Sequence, residues 1–171
     1  RIGGGLARAW ARTGHAVTFG ARRPDAEELT ALAKELGARR AGLEEAARGA
    51  EVVVLAVPFR ALDEVVPALG DLRGKVVIDC TNAVGPGMTP VFGNDTSAAE
   101  VLQERLPGAY VFKSFNAQGA ENLAAPRYGE ERAANFYAGD DAKAAEVVHR
   151  LVEDVGFDAV NAGPLRSARL L

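Results

Sequence analysis

Residues 1–24 read RIGGGLARAW ARTGHAVTFG ARRP. Gly3-Gly4-Gly5 runs into an Ala/Leu/Trp segment of helical character, Gly14 stops it, and the apolar strand Ala16-Val17-Thr18-Phe19 ends in Gly20-Ala21-Arg22-Arg23-Pro24. A glycine-rich turn, a helix and a strand in this order form the start of a dinucleotide-binding unit. The helix N–H groups meet the pyrophosphate, and the end of the following strand meets the adenosine ribose. An acid at that strand end suits the free 2′-hydroxyl of NAD. Ala21 stands where the acid is expected, and Arg22 and Arg23 follow it. Guanidinium matches phosphate with two parallel hydrogen bonds, so the stretch predicts a 2′-phosphate and therefore NADP(H). Asp25 and Glu27 begin the next helix, where acids suit the helix dipole.

Gly3 is read as the third glycine of the fingerprint, so Arg1 and Ile2 are the intervening residues whose N–H groups face the pyrophosphate. The first strand and the first two glycines of the turn then precede Arg1, and residues 167–171 read as a helix just starting. The sequence is thus expected to be a piece truncated at both ends. The absent strand is expected between the strands near 16–21 and 51–57.

Downstream, helical and strand patterns alternate. A helix is predicted from Pro24-Asp25 to Leu36 with Gly37 as its stop, a short strand at 38–40 and a short helix at 42–48. Residues 51–57 (EVVVLAV) and 75–79 (KVVID) are continuous apolar runs of the kind buried on both faces of a parallel sheet. A helix is expected at 59–69, loop at 82–95, a helix at 96–105 and a strand at 109–113. Residues 114–133 read as mixed, with a short helix after Gly119; a strand at 135–138, a helix at 141–154 and a strand at 157–161 close the pattern. The expected fold is α/β, a doubly wound, mostly parallel sheet. Residues 1–163 would form a Rossmann NADP-binding domain lacking its first strand, and 164–171 the start of a C-terminal helical part.

Open parallel sheets bind ligands at the carboxyl ends of their strands. Ala56-Val57-Pro58 closes one strand, Thr81-Asn82-Ala83 follows the next, and Lys113-Ser114-Phe115-Asn116 the one after. Small residues at such ends let backbone approach a flat ligand. Each loop also reads as an ordinary polar turn in which Asn82 satisfies backbone.

Bulk properties narrow the partners. A net charge of −3 argues against a nucleic-acid or anionic-membrane surface, and no apolar run approaches the ~20 residues of a membrane span. The single Cys80 excludes an internal disulfide and fits a reducing, cytoplasmic compartment. It follows a buried strand with no histidine predicted beside it, so it reads as packing, and no zinc-ligand spacing occurs. His15 precedes a strand, at the edge opposite the ligand, and His149 lies within a helix. The sequence therefore offers a cofactor site with no catalytic acid–base residue and no metal site. Hydride transfer between two bound ring systems needs chiefly proximity and alignment.

GARRP, LAVPF, DCTNAVGPG, VFKSFNAQGAENLAAP and DAVNAGPLRSARLL stand in this order along the chain. In order and spacing they resemble the NADPH-dependent deazaflavin (F420) reductases and their bacterial relatives. The resemblance implies a Rossmann domain binding NADP(H), a C-terminal helical part, a homodimer in the full-length protein, and hydride exchange between the nicotinamide and coenzyme F420 or a flavin. It also implies site roles. Arg1, Ile2 and Gly3 match the pyrophosphate turn; Ala21, Arg22 and Arg23 match the 2′-phosphate pocket; Ala56, Val57 and Pro58 match the strand end beside the cofactor. Asn82, Ala83, Asn116, Ala117 and Gln118 match loops near the nicotinamide. The Lys113-Ser114-Phe115-Asn116 stretch follows the bacterial relatives. Two other functions compete: a reductase of a small imine or keto acid, and a non-catalytic NADP(H)-sensing module.

A site without histidine has a direct consequence. His15→Gln and His149→Gln should each keep the turnover number within a few-fold of wild type, whereas loss of a general acid or base removes about 10²–10⁴-fold. Steady-state kinetics of the two folded variants decide it.

Overall fold

The computed structural model describes residues 2–92 and 95–171. The chain opens with α1 (Ile2–Arg12), followed by β1 (Thr18–Gly20), α2 (Glu27–Leu36), β2 (Arg39–Ala41), α3 (Leu43–Gly49) and β3 (Val52–Leu55). Gly37 adopts a left-handed conformation (φ 61°) that ends α2, as its sequence position predicts. After β3 comes a broken run: a 3-10 turn at Phe59–Ala61, α4 (Leu62–Val65) and another 3-10 turn at Val66–Leu69. Sequence reading predicts one helix there, but Pro67 lacks the N–H that a continuing α-helix uses. β4 (Val76–Asp79), α5 (Ala98–Arg105) and β5 (Tyr110–Ser114) follow.

The segment after β5 departs from expectation. No helix forms after Gly119; hydrogen bonds from Asn122 N to Gly119 O and from Ala124 N to Glu121 O make isolated turns. A short hairpin, β6 (Arg127–Tyr128) with β7 (Glu131–Arg132), then leads into β8 (Ala134–Gly139), α6 (Ala142–Val155) and β9 (Asp158–Asn161). A 3-10 run at Leu165–Leu170 comes last.

β3, β4, β5, β8 and β9 form one sheet in that order, parallel throughout except that β8 runs antiparallel to β5. The exception follows from the connection. A parallel return needs a crossover, usually a helix, and residues 115–133 supply turns and a hairpin instead. α6 provides such a crossover between β8 and β9. β1 and β2 pair in parallel as a separate two-stranded sheet.

Alternation along the central strands feeds two cores. Val77 and Val111 turn to one face, with Leu55, Leu62, Leu69, Leu102 and Leu165; Ile78 and Phe112 turn to the other, with Leu6, Trp10, Val148, Val152 and Phe157. All four residues of β4 are buried, which is why its sequence reads as an unbroken apolar run. Among the described residues no helix is long and apolar enough to cross a membrane.

One glycine is required by packing alone. Gly139 lies opposite Phe112 in the β5–β8 register, and a Cβ built there overlaps the Phe112 ring, which is fully buried. Gly139→Ala should therefore lower stability by about 1–3 kcal/mol through overpacking. Gly49→Ala, whose methyl meets open space, should be neutral or stabilising. Urea denaturation of the two variants checks the contrast.

Candidate nucleotide-binding site

β3, β4 and β5 are parallel neighbours whose carboxyl ends share one edge, the start of α1 rests on the end of β3, and Arg22, just after β1, reaches α4 beyond β3. Three consecutive glycines determine how α1 gets there. A Cβ on Gly3 would stand 3.2 Å from Ala56 Cβ and 3.9 Å from Ala56 O, so the first turn of α1 rests on the end of β3. A Cβ on Gly4 would meet Leu32 of α2 at 3.7 Å, and one on Gly5 would approach Leu123 Cδ1 to 2.9 Å. The opening of α1 is thus tight at Gly3 and Gly5, where a side chain would press on Ala56 and Leu123, whereas Gly4 leaves room for ordinary contact with Leu32. The first N–H groups of a helix have no intrahelical acceptors and carry the positive end of its dipole. Ile2 and Gly3 are in this first turn; Arg1 lies outside the described residues.

Ala21 continues β1 and donates its N–H to Ala41 O at 3.1 Å, so the loop that follows starts from a fixed point. Arg22 and Arg23 are exposed. Arg22 Nη1 donates to Glu64 Oε2 of α4 at 2.6 Å. Arg40 of β2, which sequence reasoning passed over, braces this loop from below. Its Nη1 donates to Pro24 O at 2.7 Å and Thr30 Oγ1 at 2.8 Å, and lies 3.3 Å from Asp25 Oδ1. The available signal was the double arginine Arg39-Arg40 in a three-residue strand, where alternation sends one side chain to each face.

On the other side of α1, Ala56, Val57 and Pro58 lead out of β3. Pro58 O accepts from Ala61 N at 2.8 Å, which starts the turn. Asn82 and Asn116 are brought together: Asn82 Nδ2 donates to Asn116 O at 3.0 Å, and Asn116 Nδ2 donates to Asn82 Oδ1 at 3.2 Å. The loops after β4 and β5 are therefore clasped to each other. Ala83 O holds Val91 N at 2.9 Å and so shapes the loop beyond. Ala117 is exposed, and Gln118 turns away from the clasp to donate to Ala134 O at 2.8 Å.

The clasp has two supports. Phe115 takes a left-handed backbone (φ 62°), costly for a bulky residue, and its buried ring meets Trp10 of α1 edge-on at 5.9 Å. Beneath it lies a buried ion pair, Lys113 Nζ to Asp79 Oδ2 at 2.9 Å, between residues directly opposite in the β4–β5 register. Asp79 Oδ1 also accepts from Thr81 N at 2.9 Å, and Lys113 Nζ donates to Thr81 O. Sequence reasoning missed this pair; its signal was one charged residue ending each of two apolar runs, KVVID and YVFK. Cys80 stands between Asp79 and Thr81 in the chain and is buried, and burial, with the nearby Asp79 charge, pushes its thiol far above the ordinary range. The histidines lie elsewhere: His15 Nε2 meets Asp154 Oδ2 at 2.7 Å, and His149 Nδ1 meets the Tyr137 hydroxyl at 3.1 Å.

A mostly parallel sheet with a glycine-led helix at its carboxyl edge defines a Rossmann-like domain of the dinucleotide-binding type. The profile of the coenzyme F420-dependent NADP oxidoreductase family matches residues 1–83. A candidate F420-dependent NADP reductase from Arthrobacter sp. FB24 is 30% identical, with a TM-score of 0.89 over 98% of this chain and 83% of its own. A hypothetical protein of Sinorhizobium meliloti is 29% identical, with a TM-score of 0.88 over 99% of this chain and 84% of its own. The rat metalloreductase STEAP3 is 32% identical over 159 residues, which are 92% of this chain; the chain spans only 31% of that protein. The chain belongs to the coenzyme F420-dependent NADP oxidoreductase family, a family of NAD(P)H-dependent oxidoreductases. A reductive aminase of Aspergillus terreus, 21% identical with a TM-score of 0.70, shares the fold over 99% of this chain and 54% of its own.

The buried pair generates a test. Lys113→Met leaves the Asp79 carboxylate buried and unpaired, and should cost about 3–5 kcal/mol of stability. Adding Asp79→Asn should recover more than half of that loss, because the remaining groups are neutral. Denaturation of the single and double variants measures both.

Proposed function

We propose that this chain binds NADP(H) across the edge described above and transfers a hydride between it and coenzyme F420 or a flavin. The observation that carries the cofactor reading is the end of β1. It presents Ala21 and two exposed arginines on the same edge as the α1–Ala56 contact, with no acid at the position of Ala21. The reading assigns each part of the cofactor to a part of this edge. Gly3 keeps the first turn of α1 tight against Ala56, so Ile2, Gly3 and, by sequence, Arg1 offer helix N–H groups to the pyrophosphate. Arg22 and Arg23 hold the 2′-phosphate, and Arg40 positions their loop. Ala56, Val57 and Pro58 form the wall beside the cofactor. Asn82 and Asn116, with Ala83, Ala117 and Gln118 in the flanking loops, orient the nicotinamide end. Bound NADP(H) supplies the hydride. No side chain of the chain is assigned as general acid or base.

The acceptor reading draws on the relatives. The Arthrobacter protein is described as F420-dependent and STEAP3 as a metalloreductase. A deazaflavin or flavin acceptor suits a site whose chief task is to align two ring systems.

Two measurements test this on the full-length protein. The Arg22→Ala/Arg23→Ala variant should bind NADPH more weakly by about 1.5–3 kcal/mol for each lost charge-assisted contact, with NADH changed less than about twofold. Equal losses for the two cofactors would refute the 2′-phosphate assignment. NADPH oxidation against F420, FMN, FAD, a ferric chelate and a panel of imines and keto acids should be fastest with F420 or a flavin. Reduction of only the imines or keto acids would overturn the acceptor assignment.

A further inference from the structure

Arg22 is not waiting unpaired at the end of β1. Its guanidinium is bound to Glu64 at 2.6 Å, and the two residues come from opposite sides of the proposed adenosine crevice. Arg22 is on the loop after β1, whereas Glu64 is in α4, beyond the turn that follows β3. Both side chains are about two-thirds exposed, at 69% and 68%. The pair is therefore held by weak, solvent-screened attraction and is open to exchange. Carboxylate and phosphate address a guanidinium through the same hydrogen-bonding geometry. An arriving 2′-phosphate would meet Arg22 already engaged by a carboxylate and would have to displace it.

We infer that Glu64 is a specificity-determining residue: its carboxylate competes with the cofactor 2′-phosphate for Arg22 and sets how strongly the site prefers NADPH over NADH. The inference rests on the assignment of Arg22 to the 2′-phosphate. It makes the two arginines unequal. Arg23 has no side-chain ion pair among the described residues, whereas Arg22 must give up Glu64 or share it. Glu64 lowers NADPH affinity and leaves NADH, which has no 2′-phosphate, almost unaffected. The preference of the native site is thus smaller than its two arginines alone would produce.

The test uses the full-length protein and direct titration with NADPH and NADH. Glu64→Gln keeps the size and polarity of the side chain and removes its charge. It should tighten NADPH binding about three- to tenfold at low salt and change NADH binding by less than about twofold. Raising ionic strength should shrink the gain, since the groups are exposed. In an Arg22→Ala background the same substitution should gain less than about twofold. Weaker or unchanged NADPH binding in Glu64→Gln would overturn the proposal, as would a parallel shift in NADH. A full gain that persists without Arg22 would also overturn it, because the effect would then be simple repulsion. Failure of the 2′-phosphate assignment looks different. In that case Arg22→Ala/Arg23→Ala loses NADPH and NADH equally, whatever Glu64 does.

Discussion

The centre of this fold is fixed by two charges that water does not reach. Asp79 and Lys113 face one another across the adjacent strands β4 and β5, with side chains 0% and 6% exposed. Neither charge is tolerable there alone, because an isolated ion loses its hydration without recompense. Each is satisfied by the other and by the backbone of Thr81. That requirement fixes more than the strands. It sets where the chain turns after β4, and the loops that leave the two strands begin from a common, rigid point. The Asn82–Asn116 clasp then forms between those loops. A buried pair is a poor source of net stability, but it penalises any register other than the native one, since a slip separates the partners.

The second constraint is the approach of α1 to the sheet. Gly3, Gly4 and Gly5 let the helix start against Ala56, Leu32 and Leu123. Further along the same helix Trp10 packs edge-on against Phe115, and its indole N–H donates to Leu151 O in α6 at 2.9 Å. One helix therefore connects the end of β3, the left-handed Phe115 after β5 and α6 on its own side of the sheet. The carboxyl edge is shaped by packing from behind as much as by its own loops.

Much of this was legible in the sequence for reasons of period and position. EVVVLAV and KVVID declare buried parallel strands because both their faces are covered, and Gly37 declares a helix end because the position needs a positive φ. GARRP reads as the segment following a strand, and the structure sets its two arginines, exposed, just after β1. What remained hidden depended on pairing across long separations. Lys113 reads as a strand-end charge with no partner until β4 and β5 are set in register, and Arg40 reads as surface charge until the loop at 24–25 folds over it. The reversal of β8 was equally hidden. Residues 115–133 carry no clear period, and a chain without a helical crossover returns antiparallel. Glu64 gave no signal, since nothing local distinguishes it from any other exposed helical acid.

The brace supplied by Arg40 has a further consequence, for how such a site changes over evolutionary time. The loop bearing Arg22 and Arg23 is held by a side chain that is neither of them, through Pro24 O and Thr30 Oγ1. Its shape therefore does not depend on what the two arginines bind. A ligand docking there need not freeze a disordered segment, which is one of the larger entropic costs of recognition. On the proposed assignment, exchange of the two exposed side chains, or of the acid opposite them, would alter what the loop binds while the Arg40 brace stays in place. The side chains that would read the ligand and the side chain that shapes the loop are therefore different residues.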